Sequence, residues 1–324
     1  MLPYNNTTSR LAESSPRFRP VASDLYYGRY RETTPVAPNR LTASNLIAMV
    51  MWSQDFKGHG LQSVTARQRI FCGANQSLTA FGFHPVYLAP GIGGYRPNDA
   101  EREAAQLQYV LDRGFGGAIF CPSETGRNGS LLQKCTEQLA VAVVEQRMSF
   151  VEADFVGIDS YQTMLDTVKF LVEQGHRRIA FVTRCDQTQV VRDRLLGYAE
   201  AARQMEIEEI IVQIASTGDD RPWTAFDATF RIADGQRPTA AIVFGDNATH
   251  EILERLQRLG ISVPHDVAIA GFDYIAPSCR HGVGLTSFSL PYEEIGRNAA
   301  RLLLRRIEDP SAPLASIKLP GEIN

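Results

Sequence analysis

The sequence contains no apolar run near the roughly 20 residues that span a bilayer. Its opening, MLPYNNTTSRLAESS, lacks the apolar core of a secretory leader. Five cysteines (Cys72, Cys121, Cys135, Cys185 and Cys279) are scattered, odd in number and never spaced as a CxxC pair. That argues against a disulfide framework or a zinc site and favours a reducing compartment. There is no excess of one charge: the net value is −3, so no whole-chain basic field awaits nucleic acid. Catalytic signatures are missing too. There is no P-loop, no GxGxxG after a strand, no GxSxG and no HExxH. Pro90–Tyr95 is glycine-rich but lacks the phosphate-loop spacing and its lysine, so it reads as a loop. His250-Glu251 supplies one histidine where a zincin helix needs two, and reads as a solvated helix face. Cys279-Arg280-His281 reads as a surface loop. These absences describe a cytoplasmic protein with no membrane segment, no cofactor, no metal and no evident nucleophile–base pair, that is, a binding protein and no enzyme.

What is present is strand–helix alternation on an ordinary globular composition: 324 residues, 44% hydrophobic and 21% charged. Residues 1–45 stand apart, with five prolines and six arginines against three acids. No helical period survives the prolines, so this segment reads as a disordered or linker tail. From Leu46 the pattern is regular. Leu46–Met51 is a continuous apolar run of strand length, and further strands are read at 85–88, 118–121, 141–144, 155–158, 179–182, 210–214, 240–244, 267–270, 285–288 and 315–318. Between most of them lie amphipathic stretches, such as Met164, Leu165, Val168, Leu171 and Val172, with Ser160 as a plausible N-cap and Gly175 as a stop. Such alternation predicts βαβ units and parallel sheets. The strands are too many for one ordinary sheet, so the expectation is two doubly wound α/β lobes with a cleft between them. The stretch Gly175–Gly197 captures the design: helix end, buried strand, polar loop, next helix, with Arg194 near the mouth where ligands of open α/β sheets sit.

From about Asp154 onward the sequence resembles the effector-binding domain of the LacI/GalR group of bacterial transcriptional regulators. The blocks that carry the resemblance are DFVGIDSYQTMLDTVKFLVEQGHRRIAFVT, RDRLLGYAEAAR, PTAAIVFGDN, LGISVPHDVAIAGFD and LTSFSLPYEEIGRNAARLLLRRI, in order and at fitting intervals. The first half is similar more loosely, through 46–51 and 111–119. Some GntR-type regulators of the arabinose-repressor kind carry the same sensor. The resemblance implies the periplasmic binding protein type I fold, with lobe 1 at about 46–155 plus 285–308 and lobe 2 at about 156–284 plus 309–324.

It also implies a sugar-type effector clamped between the lobes of a dimer. Arg194, in RxxG, and Asp273, in GFD, match ligand contacts of the family. Asp246 stands where the family has an asparagine, Gln146-Arg147 where many members have Asp-Arg, and Leu290-Pro291 where they have Gln-Pro. Trp52, Phe56, Tyr161 and Trp223 are candidates for an apolar wall against a sugar face. The plain alternatives are a surface arginine, a strand-end cap, a helix N-cap and packing aromatics. A planar guanidinium fork and a carboxylate together suit a vicinal diol. DNA contact, on this resemblance, runs through an N-terminal helix-turn-helix or winged-helix head, a pattern that residues 1–45 do not show. A solute-binding protein of a sugar transport system is the alternative on the same fold.

Overall fold

The computed structural model describes residues 44–51, 66–88, 99–122, 126–148, 150–184, 188–214, 221–232, 235–244, 246–272 and 286–323. The tail (to residue 43), Trp52, Phe56, the loop at 90–95, Asp273 and Cys279–His281 lie outside the described residues. Everything below concerns the unit Ala37–Asn324.

The first half runs β1 (Leu46–Met51), α1 (Ala66–Ala80), β2 (His84–Leu88), α2 (Asp99–Asp112), β3 (Gly117–Cys121), α3 (Gly129–Gln138), β4 (Ala140–Val144) and β5 (Asp154–Ile158). The second half runs α4 (Ser160–Glu173), β6 (Ile179–Arg184), α5 (Gln189–Met205), β7 (Ile210–Ile214), α6 (Arg221–Phe230), β8 (Ala240–Val243), α7 (Asp246–Arg258), β9 (Ala268–Phe272) and β10 (Thr286–Ser289). The chain ends with α8 (Tyr292–Glu308), β11 (Ser316–Leu319) and β12 (Glu322–Ile323). Helix α6 was not legible as one. Its start, Arg221-Pro222, fits a first turn, where proline's missing N–H costs nothing, and Phe226 and Phe230 are buried one turn apart. The N-cap of α4 is Asp159, one residue before the expected Ser160: its Oδ1 accepts the Gln162 N–H at 3.0 Å.

Two six-stranded sheets result. Their orders are β11-β5-β4-β3-β1-β2 and β12-β10-β9-β8-β6-β7, so both lobes wind the same way. All ladders are parallel except β10 with β12. The central strands are buried on both faces, which explains their unbroken apolar runs. In each lobe the strand order reverses between the first strand and the third, at β1/β3 and at β6/β8, the switch points outside which ligands sit.

The lobe boundaries differ from those expected. Strand β5 lies wholly in the first sheet, between β4 and β11. The run at 285–288 was expected in lobe 1, yet Thr286–Phe288 pairs with β9 of the second sheet. The last run was expected in lobe 2, yet β11 pairs with β5 of the first. Periodicity records which residues are buried and not against which sheet, so it cannot see these exchanges. The chain therefore crosses between lobes three times: at Ile158–Ser160, at Leu290-Pro291, and at Pro320-Gly321.

The crossings are held together. The Asp159 N–H donates to the Leu319 carbonyl at 2.8 Å, and the Gly321 N–H donates to Thr163 Oγ1 at 2.9 Å. A Cβ on Gly321 would come within 2.8 Å of Thr163 Cγ2 and 3.0 Å of Leu290 Cδ2, so a glycine is needed there. Behind the crossings, Asp154 is fully buried and accepts from Arg305 at 2.9 Å, Arg306 at 3.1 Å and the Ala315 N–H at 2.8 Å. That carboxylate ties the end of α8 to the start of β11. Its burial is tolerated because every approach to it brings a donor.

Candidate functional site

A cleft of about 320 Å³ lies where the lobes meet. Lobe 1 contributes Glu145 and Arg147 after β4, Phe155 and Ile158 from β5, and Lys318 from β11. Lobe 2 contributes Ser160 at the start of α4, and Gln189, Val190 and Asp193 from the first turns of α5. Most of the lining residues are polar, and Phe155 supplies one aromatic face. The cleft's size falls at the lower end of small-molecule sites, about 300–1,000 Å³.

Most polar side chains on the wall are positioned by a neighbour. Glu145 sits in the left-handed region (φ 63°), unusual for a residue with a Cβ, and its N–H donates to the Val156 carbonyl. Its carboxylate pairs with Arg67 of α1 and accepts from the Cys121 thiol at 3.4 Å. Burial pushes the Cys121 thiol far up, and the charge of Glu145 adds to that, so this sulfur stays protonated. Burial likewise raises the phenol of Tyr87, with Arg67 opposing. The Arg147 guanidinium stacks on the Phe155 ring, 4.4 Å from its centroid, and donates to Ser316 Oγ. Across the cleft, Asp193 accepts from Gln189 at 2.5 Å and meets Lys318 Nζ at 3.5 Å.

Arg194 follows Asp193 on α5 and turns to the carboxyl edge of the second sheet. It is 4% exposed, donates to the Phe244 carbonyl after β8, and lies 4.1 Å above the Phe272 ring at the end of β9. Its guanidinium thus lies at the ends of β8 and β9, and Arg194 is not among the residues that line the cleft.

The other expected site residues divide as follows. Arg147 lines the cleft, but its neighbour Gln146 does not; Glu145, one residue earlier, takes that place. Tyr161 is likewise displaced by its neighbour Ser160, and its carbonyl abuts α5, within 2.5 Å of where a Cβ on Gly197 would sit. Trp223 is away from this cleft. It packs edge-on against Phe226 at 5.4 Å and carries Arg255 5.6 Å over its ring, beside a shallow recess formed with α7. Leu290 is fully buried at the second crossing, which explains why an apolar residue suits it. Asp246 opens α7, but its side chain lies outside the described residues, as do Trp52, Phe56 and Asp273. Reasoning from sequence missed Glu145, Ser160, Gln189, Asp193 and Lys318, because the register at strand ends decides which side chain faces the cleft. Among the described residues no group of three or more His, Cys, Asp or Glu is placed to hold a metal ion.

Comparison with known proteins identifies the architecture. A family model described as a periplasmic binding protein-like domain matches residues 168–324. The arabinose metabolism transcriptional repressor of Geobacillus stearothermophilus is 30% identical over 248 residues, covering 74% of this chain and 66% of that one. The chain carries a periplasmic binding protein-like domain. The HTH-type transcriptional repressor PurR of Vibrio vulnificus is 32% identical over 145 residues, 44% of this chain and 42% of its own length. The chain thus spans from under half to just under two thirds of these relatives. Among solved structures, a regulatory protein of LacI family from Chloroflexus aggregans superposes with a TM-score of 0.71 at 19% identity, over 86% of this chain and 96% of that one. A LacI family regulator from Enterococcus faecium with bound ribose gives 0.65 at 19%, over 86% and 96%. These structures establish the two-lobed fold. Among the described residues no helix is long and apolar enough to cross a membrane.

Proposed function

We propose that this chain is the sensing part of a bacterial transcriptional regulator whose effector is a sugar or sugar derivative. The single observation that carries the reading is the cleft between two like-wound lobes, lined by polar groups and one aromatic face and spanned by three crossings. Effector binding favours the closed arrangement because only there do both walls reach the ligand, and that differential affinity shifts the population. Arg194, with its guanidinium at the ends of β8 and β9, belongs to the lobe 2 side of the site, and Asp273 and Asp246 follow those same two strands. The domain works as a homodimer, in which closure repositions DNA-reading heads. The relatives named as repressors, and the ribose held by a structural neighbour, support this reading over the solute-binding alternative.

The test is a thermal-shift screen against L-arabinose, D-ribose, further pentoses, hexoses, uronic acids and their phosphates, with sedimentation to measure the oligomer. At one hundred times its Kd a true effector stabilises by about 2.7 kcal/mol, a rise in Tm of roughly 5–10 °C. A panel in which no sugar raises Tm would remove the sugar assignment, and a monomer at all concentrations would remove the dimer.

A further inference from the structure

Two side-chain hydroxyls at the cleft end of the second lobe are buried without a hydrogen-bond partner: Ser160 Oγ and Thr183 Oγ1. Ser160 is 1% exposed and lines the cleft. The same helix shows how such hydroxyls are normally satisfied. Thr163 Oγ1 donates to the Asp159 carbonyl and Thr167 Oγ1 to the Thr163 carbonyl, each at 2.7 Å, the i−4 bond of a helical hydroxyl. Ser160 has no such outlet. It is the first residue of α4, so its i−4 position, Val156, lies back in β5, and the Val156 carbonyl already accepts from Glu145. Thr183 is the sixth-strand counterpart: Ile179 and Phe181 point to the core shared with α4 and α5, and alternation puts Thr183 on that same side.

An unpartnered buried hydroxyl destabilises a fold. Alanine at position 160 would avoid that cost and suit a first helical turn. Across the cleft stands Glu145, whose left-handed backbone aims a carboxylate into the same wall. We infer that Ser160 is a ligand-recognition residue, its hydroxyl left unpaired by the protein for a hydroxyl-bearing ligand that also meets Glu145. This rests on the effector-binding reading of the cleft. A ligand O–H donates to the Glu145 carboxylate, and Ser160 Oγ–H donates to a ligand oxygen. One molecule then bonds to both sides of the first crossing. The N-terminal end of α4, with its partial positive charge, favours the acceptor oxygen at that point.

The experiment compares the wild-type protein with Ser160→Ala, by thermal melting without ligand and with D-ribose or L-arabinose. Without ligand, Ser160→Ala raises Tm, by about 2–4 °C if roughly one unit of unsatisfied hydrogen bonding is relieved. With the sugar that stabilises the wild type, the variant binds about tenfold more weakly by titration calorimetry, the loss of one good hydrogen bond. An unchanged or lower ligand-free Tm overturns the inference, because the hydroxyl is then structural. So does undiminished affinity for a sugar the wild type binds. If the wild type takes neither sugar, the titration is repeated with whichever sugar of the wider panel raises its Tm, a panel without any such sugar removes the sugar assignment, and the ligand-free comparison decides for or against Ser160.

Discussion

Lys318 and Asp193 meet across the two lobes: Nζ of the β11 lysine is 3.5 Å from Oδ2 of the α5 aspartate, at the rim of the cleft. Lys318 remains 45% exposed, so the pair is screened and contributes under about 1 kcal/mol. That is still enough to change the ratio of two lobe arrangements several-fold, since about 1.4 kcal/mol is a factor of ten. Lys318→Met should therefore weaken effector binding two- to fivefold while lowering Tm by no more than a degree or two. The wild type should lose the same margin as salt is raised to about 0.5 M, where the screening length falls to a few ångström. Titration calorimetry of both proteins at low and high salt checks this, and equal salt slopes would exclude the bridge as a contributor.

Arg194 is at once a structural and a candidate ligand-side residue, and the two roles separate by substitution. Its guanidinium donates to the Phe244 carbonyl and covers the Phe272 ring. Removing it leaves a buried acceptor and loses the stacking, so Arg194→Ala should cost about 2–4 kcal/mol of stability. Arg194→Lys keeps the charge but loses the planar fork. The expected outcome is a Lys variant that recovers part of the Tm yet shows no effector-induced shift. A Lys variant with a full shift would leave Arg194 with the structural role alone.

The helices α1 and α8 test the packing of lobe 1. Gly73 and Gly296 face each other's backbones: a Cβ on Gly73 would collide with the Glu293 carbonyl oxygen, and one on Gly296 with the Ile70 carbonyl oxygen. Neither obstacle is a flexible side chain, so the helices must separate to admit a methyl group. Overpacking of this kind costs about 1–3 kcal/mol or more. Gly296→Ala should lower Tm by roughly 3–10 °C, and the double variant Gly73→Ala/Gly296→Ala should be less than additive because one separation relieves both clashes. Chemical denaturation of the four proteins gives the coupling directly.

Tyr198 makes a parallel case in lobe 2. It is fully buried, donates its hydroxyl to the Ile179 carbonyl at 2.7 Å and accepts the Ile210 N–H at 2.9 Å, so it joins the edges of β6 and β7 through one atom. Burial pushes its phenol up to about 12. Tyr198→Phe keeps the ring contact with Phe181 but strands both backbone groups. A loss of about 1–3 kcal/mol in denaturant melts is expected, with effector binding unchanged once the protein is folded.

How much of this was legible in advance depends on what kind of information a residue carries. The run at 46–51 matches β1 because a strand buried in a parallel sheet announces itself by composition. That Arg194 lies near a strand mouth follows from chain order, because a helix that follows a strand must begin at the sheet's carboxyl edge. The failures are failures of register and partner. Gln146 and Glu145 are neighbours, and only the turn after β4, with its left-handed residue, decides which of them faces the cleft. Trp223 seemed free to stack on a ligand because the helix under it was not seen; once α6 forms, Phe226 and Arg255 occupy the ring. Lys318 was invisible as a cleft residue because its strand was assigned to the wrong lobe. A β-strand's partner is a long-range fact, and no local pattern of polarity encodes it.

The ion pair beneath Trp223 gives the clearest pH dependence. Asp227 of α6 receives Arg255 of α7 in a two-pronged contact, Nε to Oδ1 at 2.6 Å and Nη2 to Oδ2 at 2.8 Å, with Arg231 at 3.4 Å behind it. The hydrogen bonds from Arg255, and its charge, hold the Asp227 carboxyl below the ordinary aspartate range. In the unfolded chain the group returns to about 3.9. The folded state thus binds fewer protons than the unfolded one between the two values, and stability falls as pH drops. The contribution is fully present above about pH 5 and is lost as the pH falls below 4 through the lowered folded value. Asp227→Asn should therefore lower Tm at pH 7 and flatten its decline between about pH 5 and 3, and Arg255→Met should flatten the same limb because it removes the donor that sets the shift. Melting curves of the three proteins across that range test it: parallel acid limbs would show that other carboxylates carry the acid sensitivity of this lobe.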